Sequence, residues 1–268
     1  MGRFGMENKV IWLTGASSGI GRELAVLLRA MRARLVLSAR NADALVELQE
    51  QCGGTEWARV LPLDLMNVDG LQRCVAEARE LFGRIDCLIC NAGVSQRSRA
   101  IETNAEVLQR LVTVNFVAPA ELARQVARDM VASGGGAIVA VSSLAGYVAT
   151  PLRSGYAASK HALHGYFDAL RAELVGSNVS VTLAVPGFIR TEISTNALTG
   201  DGRTYDHMDE NQARGMSPQR CAIKIIRAIA TRKREAYIGL GVRGWLALAL
   251  RKLAPGILAG SISRAKVT

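Results

Sequence analysis

Short runs of consecutive apolar residues alternate along this chain with longer stretches whose apolar positions recur every three or four residues. The runs at 9–14 (KVIWLT), 34–39 (RLVLSA), 58–63, 86–90, 136–141, 179–185 (VSVTLAV) and 235–238 read as strands. The periodic stretches 19–31, 42–51, 68–82, 105–131, 154–175 and 218–231 read as helices. The stretch 105–131 is expected to be interrupted at Pro119, because proline has no amide to donate inside a helix. Strands that are apolar at nearly every position are covered on both faces, and strict alternation with helices predicts a parallel sheet. The fold class expected is α/β: one doubly wound domain with a seven-stranded, mostly parallel sheet and helices on both faces. Residues 188–217 are polar and weakly periodic. They read as an excursion above the sheet, a mobile lid over the substrate. Residues 1–240 are expected to form the catalytic domain and 241–268 a basic, apolar extension.

Between the first strand and the first helix stands Thr14-Gly-Ala-Ser-Ser-Gly-Ile-Gly21. Gly15 permits a tight turn, Gly19 lets the backbone approach a pyrophosphate, and Gly21 lets the helix pack closely. Ser17, Ser18 and Ile20 complete the loop, and the helix start offers free amides and a positive dipole end. The motif therefore predicts a dinucleotide-binding, Rossmann-type domain. No Asp or Glu occurs between residues 24 and 42, where an acidic residue would bind the 2′-hydroxyl of NAD. The second strand instead runs into Arg40, whose guanidinium suits a 2′-phosphate. NADP(H) is therefore favoured over NAD(H). Asp64 and Leu65, after the third strand, are placed for the adenine, with Asp64 accepting from its amino group.

Tyr156-Ala-Ala-Ser-Lys160 opens a helix, so the phenol and the ammonium share a face. An ammonium beside a phenol is expected to lower the tyrosine pKa and to make it an acid–base group near neutral pH. Ser143 ends the fifth strand, where its hydroxyl can hold a substrate oxygen. Asn115 lies inside a long helix, an unfavourable place for an amide unless it has a task. Pro186, Gly187, Ile189 and Thr191 follow the sixth strand and could bond a nicotinamide carboxamide. Leu144, Val148, Phe188 and Met216 are expected to line an apolar substrate wall together with Ser143 and Tyr156. All these positions fall at the carboxyl edge of the sheet, where open α/β sheets bind ligands. His161, His164 and His207 lack metal-ligand spacing, and the first two are expected on the helix surface. No metal site is expected.

The formal charge of +10 is unevenly placed. Residues 1–219 hold 22 basic and 22 acidic side chains, whereas residues 220–268 hold 11 basic ones and a single acid, Glu235. A neutral body with a basic, apolar tail does not look like a nucleic-acid binder, and no recognition motif accompanies it. The run at 245–250 (WLALAL), beside Arg243, Arg251 and Lys252, suits an interfacial helix at an anionic membrane surface, or one packed on the body or another subunit. No run of about 18 uncharged apolar residues occurs, so no spanning helix is expected. Five cysteines at irregular spacing fit a reducing compartment. Cys87 and Cys90 sit on one strand, about 10 Å apart and on opposite faces, too far for a disulfide.

With these motifs in view the chain resembles the short-chain dehydrogenase/reductase family. The resemblance spans roughly residues 8–240 and rests on Thr-Gly-x3-Gly-Ile-Gly at 14–21, Asn91-Ala92-Gly93, Asn115, Ser143, Tyr156-x3-Lys160 and Pro186-Gly187. One departure is Cys90, where the family usually carries a further asparagine. The stretch 93–98 and the basic tail are also similar to the membrane-associated member 7 group of that family. The resemblance implies a tetrad of Asn115, Ser143, Tyr156 and Lys160 and a carbonyl–alcohol interconversion by hydride transfer. In it Tyr156 would move the proton, Ser143 bond the oxygen, Lys160 bond the nicotinamide ribose and tune the tyrosine, and Asn115 hold a water behind Lys160. Asn91, Ala92 and Gly93 would run beside the adenosine ribose. It also implies a homodimer or homotetramer built on the helices at 105–131 and 154–175. Alternatives are a 3-oxoacyl-carrier-protein reductase or a non-catalytic NADP(H) sensor; a sensor has no need of an intact tetrad. The expected location is cytoplasmic, with peripheral contact to a membrane surface.

Overall fold

The computed structural model describes residues 2–263. Its strands are β1 (Val10–Thr14), β2 (Arg34–Ser38), β3 (Ala58–Val60), β4 (Cys87–Cys90), β5 (Gly136–Val141), β6 (Val179–Pro186) and β7 (Glu235–Ile238). They form one sheet in the order β3-β2-β1-β4-β5-β6-β7, and every neighbouring pair is parallel. The helices are α1 (Gly19–Ala30), α2 (Ala42–Gln51), α3 (Leu71–Phe82), α4 (Ala105–Val112), α5 (Ala118–Ala132), α6 (Ser154–Glu173), α7 (Glu210–Ala213), α8 (Pro218–Ala230), α9 (Gly241–Leu253) and α10 (Pro255–Ser263). The strand order reverses between β1 and β4, which opens a crevice at their carboxyl ends.

The two faces of the sheet hold separate cores because successive side chains of a strand point to opposite sides. Ile11, Leu13, Leu35, Leu37 and Cys87 pack with Leu24, Leu48 and Ile225 on one face. Trp12, Val36, Leu88 and Cys90 pack with Leu71, Leu122 and Phe167 on the other. Cys87 and Cys90 thus serve opposite cores. All five cysteines are free thiols, and burial pushes the Cys90 thiol up to about 12. The thiol of Cys90 donates to the Pro119 carbonyl at 3.8 Å, so the family's missing asparagine is replaced by a core contact.

The expected interruption at Pro119 takes a different form. Pro119 sits in the first turn of α5, where a missing amide is tolerated, and the helix runs on. The break in hydrogen bonding lies one turn earlier, in a π-helical turn at Thr113–Val117 that contains Asn115. Pro119 cannot donate to the carbonyl four residues back, that of Asn115, and the widened turn absorbs the loss.

Residues 188–217 rise over the carboxyl edge, with backbone hydrogen bonds to the segment that follows β4. The Arg97 amide donates to the Leu198 carbonyl at 2.8 Å, the Leu198 amide to Ser95 at 2.9 Å, and the Asn104 amide to Gly200 at 2.9 Å. The segment forms a cover over this edge, bonded to the loop after β4. The C-terminal helices α9 and α10 pack on each other at the same edge. Among the described residues no helix is long and apolar enough to cross a membrane. Arg264 and Lys266 of the basic tail lie outside the described residues.

Candidate active site

One cavity of about 1600 Å³ runs along the carboxyl edge from Ser17 and Arg40 to α9 and α10. Its first half is the glycine loop. Gly15 has φ +67°, and a Cβ there would lie 2.7 Å from the Ala92 Cα; one at Gly21 would lie 1.9 Å from the Gly15 carbonyl oxygen. No side chain fits at either place. Ser18 precedes α1 but spends no side-chain hydrogen bond on capping it, so its hydroxyl remains available at the helix start. Gly15, Ser17, Ser18, Gly19, Ile20, Arg40, Asp64, Leu65, Asn91, Ala92 and Gly93 all line the cavity. Gly21 lies beneath the loop, as its packing task requires.

Asn91 does more local work than expected. Its amide nitrogen Nδ2 donates to the carbonyls of Thr14 and Gly15, each at 3.1 Å, while the Thr14 hydroxyl accepts from the amides of Asn91 and Ala92. The end of β4 thereby fixes the shape of the glycine loop on β1. Asp64 is exposed, and its carboxylate accepts from the Met66 amide at 3.0 Å, which leaves its second oxygen at the rim. The loop, the open helix start and the rim guanidinium of Arg40 together fit an anionic dinucleotide.

Beyond the switch point, four side chains converge. Asn115 bonds both ways to the Val94 backbone at 2.9 Å and donates to the Ser159 hydroxyl at 3.0 Å. Ser159 in turn donates to the Tyr156 carbonyl at 2.8 Å. Lys160 is buried, and its Nζ donates to the Val141 carbonyl at 2.8 Å. Burial lowers its pKa to about 8. A Cβ on Gly93 would touch Asn115 Oδ1 at 3.0 Å and Lys160 Nζ at 3.5 Å, so glycine is needed where those two meet. Ser143 accepts from the Ala145 amide at 3.1 Å, and its hydroxyl favours the Tyr156 phenolate.

The tyrosine differs from expectation. Burial outweighs every charge and pushes the Tyr156 phenol up, and the groups that pull it back are Ser143, then Arg153 and Arg97. The Lys160 ammonium stands 5.9 Å from the phenol ring centre, and burial lowers its own pKa. The two arginines belong to a cluster that local sequence did not reveal. Asp209, from the cover, accepts from Arg97 Nη2 and, at 2.8 Å, from Arg153 Nη2. Arg97 and Asp209 are buried and Arg153 is 11% exposed, so two cations share one anion beside Tyr156. Arg97 and Arg153 both line the cavity with Leu144, Val148 and Phe188. The wall expected to be apolar is therefore mixed. Met216 lies outside it: its chain pairs with Ile189, and its side chain packs at 3.2 Å from where a Cβ of Gly239 would sit.

Two further side chains escaped the reading of the sequence. Gln96 accepts with Oε1 from the amides of Gly155, at 2.7 Å, and Tyr156, at 3.2 Å. It caps α6 from another part of the chain, since Arg153 at the capping position offers no side-chain bond. His164, expected on the helix surface, is buried and shares a 2.8 Å hydrogen bond with the Ser142 hydroxyl. Its helix face points to the sheet at that register. Pro186, Gly187, Ile189 and Thr191 border the cavity after β6, and the Ile189 carbonyl is held by Gln212.

A family model described as short chain dehydrogenase matches residues 9–201. "Dehydrogenase/reductase SDR family member 7B" of Bos taurus is 38% identical over 259 residues, covering 94% of this chain and 79% of the relative. "Dehydrogenase/reductase SDR family protein 7-like" of Drosophila melanogaster is 35% identical, covering 94% and 78%. Among solved structures, a short chain dehydrogenase/reductase from Burkholderia phymatum in complex with NAD superimposes with a TM-score of 0.83 at 25% identity, over 95% of this chain and 96% of that one. One from Burkholderia cenocepacia in complex with NADP shares the fold, with a TM-score of 0.79 at 23% identity, over 97% and 99%. The parallel sheet, the glycine loop and the match over most of the chain make this protein a member of the short-chain dehydrogenase/reductase family of NAD(P)-dependent oxidoreductases.

Proposed function

We propose that this chain interconverts an apolar ketone or aldehyde and its alcohol with NADP(H), and that Tyr156 moves the proton. The observation that carries the reading is that Ser143, Tyr156 and Lys160 share one wall of the cavity, with Lys160 buried one helical turn on from Tyr156. A nicotinamide dinucleotide held by residues 14–21, 91–93 and 186–191 supplies hydride or takes it up. Tyr156 gives its phenolic proton to the carbonyl oxygen, and Ser143 hydrogen-bonds that oxygen and holds it against the phenol. Arg97 and Arg153 make the phenolate less costly as the proton leaves. Lys160 bonds the nicotinamide ribose. With a pKa near 8 it stays largely charged at neutral pH and can return a proton. Asn115 holds a water behind it as the next link of the relay.

Arg40 pairs with the 2′-phosphate, Asp64 takes the adenine amino group and Leu65 lies beside the ring. Thr191 and the backbone from Pro186 to Ile189 hold the carboxamide. Leu144, Val148 and Phe188 hold the apolar part of the substrate. Residues 1–240 form the catalytic unit, which pairs as a homodimer or homotetramer through α4, α5 and α6. The extension at 241–268 contacts a membrane surface.

Tyr156→Phe tests the assignment. It should lower turnover by about 10²- to 10⁴-fold while NADPH binding, read by cofactor fluorescence, is kept. Undiminished turnover in that variant removes Tyr156 from the reaction.

A further inference from the structure

The helix pair α9–α10 is apolar on both of its sides. Only Gly244 of α9 and no residue of α10 is buried. Outward, Trp245 is 54% exposed, Leu253 84% and Ile257 64%. Inward, Gly244, Ala247, Leu258 and Ile262 form the apolar part of the cavity's end wall, and Arg243, which is exposed, borders the same cavity. A Cβ on Gly244 would lie 3.4 Å from the Leu144 side chain, next to Ser143, so α9 reaches the reacting end of the site directly. Trp245 packs against Tyr237, with ring centres 5.1 Å apart and ring planes tilted by 52°. A thin wall with apolar side chains on both faces is stable only if both faces meet something apolar.

The charge says what covers the outer face. Arg243, Arg251 and Lys252 are the only charged residues of the hairpin, and no acid follows Glu235 in the chain. A second copy docked on this face would set like charges together with no acid to offset them. An anionic bilayer offers the opposite charge and an apolar interior, with a tryptophan and cations at the boundary.

We propose that α9–α10 is a membrane-docked doorway through which a bilayer-resident carbonyl compound, bearing a long hydrocarbon chain, enters the cavity without crossing water. The doorway deepens the carbonyl–alcohol reading above and rests on it for the substrate's reacting group. The hydrocarbon lies along Ala247, Leu258 and Ile262 while its carbonyl reaches Ser143 and Tyr156.

The test uses the full chain and a diazirine-bearing long-chain methyl ketone dissolved in phosphatidylcholine vesicles, with and without phosphatidylserine. Flotation reads docking, and mass spectrometry of photo-crosslinked peptides reads entry; neither needs turnover. The wild-type chain should float with the phosphatidylserine vesicles and crosslink within 144–151 and on the inner faces of α9 and α10. Leu253→Glu with Ile257→Glu, both outward, should lower flotation by at least about tenfold. The double variant should crosslink normally when the ketone is presented in detergent micelles, and in proportion to its flotation when presented in vesicles. Absence of wild-type flotation, or conversion of a dimer to a monomer by the double variant, overturns the bilayer as occupant. Flotation with crosslinks confined to the outer face overturns the doorway and leaves a surface anchor. Entry with no NADPH-dependent turnover of the ketone would instead count against the proposed reaction.

Discussion

The two halves of the cavity are built in opposite ways. The half proposed for the cofactor turns on one local motif, the loop at 14–21, to which the more distant Arg40 and the clamp at 91–93 are added. The substrate half is made from residues far apart in sequence. Gln96 and Arg97 follow β4, Arg153 precedes α6, Asp209 comes from the cover, and Ala247 and Leu258 from the C-terminal helices. A phosphate-binding turn is a local conformation, so its requirements appear in neighbouring residues. A substrate wall is a tertiary object, and its members have no reason to be neighbours in the chain.

If the contrast holds, damage to the substrate half should spread through packing, whereas damage to the cofactor half should stay with the cofactor. Asp209→Ala gives the largest expected loss of stability, about 3–5 kcal/mol, because it strands two buried arginines. Chemical unfolding of the apo-protein reads it, and a loss below that of an ordinary surface change would mean that Arg97 and Arg153 find other partners. Arg40→Ser should weaken NADPH by about 10- to 100-fold, the worth of a charge-assisted bond, and leave NADH and stability untouched. Equal weakening of both cofactors would remove Arg40 from the 2′-phosphate.

Gln96→Ala should destabilise by about 1 kcal/mol, as loss of a helix cap does, and should lower turnover more than NADPH affinity because Tyr156 sits in the turn it caps. A change in affinity alone would make Gln96 part of the cofactor site. A further effect is one of pH. Burial takes Lys160 from 10.5 to about 8, so between those values the unfolded chain binds more protons than the folded one. Stability of the apo-protein should therefore rise with pH across that window relative to Lys160→Met. Reductive turnover should fall over the same rise as the ammonium is lost. Parallel pH profiles of stability for the two proteins would show that Lys160 keeps its ordinary pKa.

The sheet could be read in advance because the apolar runs and helical periods were strong. The glycine loop and the Tyr156–Lys160 spacing could be read because both are local. Other features could not. The period of α6 gives no sign that His164 turns to Ser142, since a lone histidine suits either face. The position of Met216 depended on a bridge to Ile189, which no spacing encodes. The tyrosine's environment was expected to be ruled by the lysine one turn away, but burial decides it, eased by Ser143 and then by Arg153 and Arg97.

The sequence by itself determined the alternation of strand and helix, the glycine-rich loop, the one-turn spacing of Tyr156 and Lys160 and the segregation of charge into the last 49 residues. Each is a matter of local conformation or composition. Only the tertiary structure decided that Asp209 joins Arg97 to Arg153, that Gln96 caps the helix of Tyr156, and that a basic, apolar tail forms the end wall of the cavity. Those contacts join segments as many as 112 residues apart, and burial and charge act through space with no regard for order along the chain.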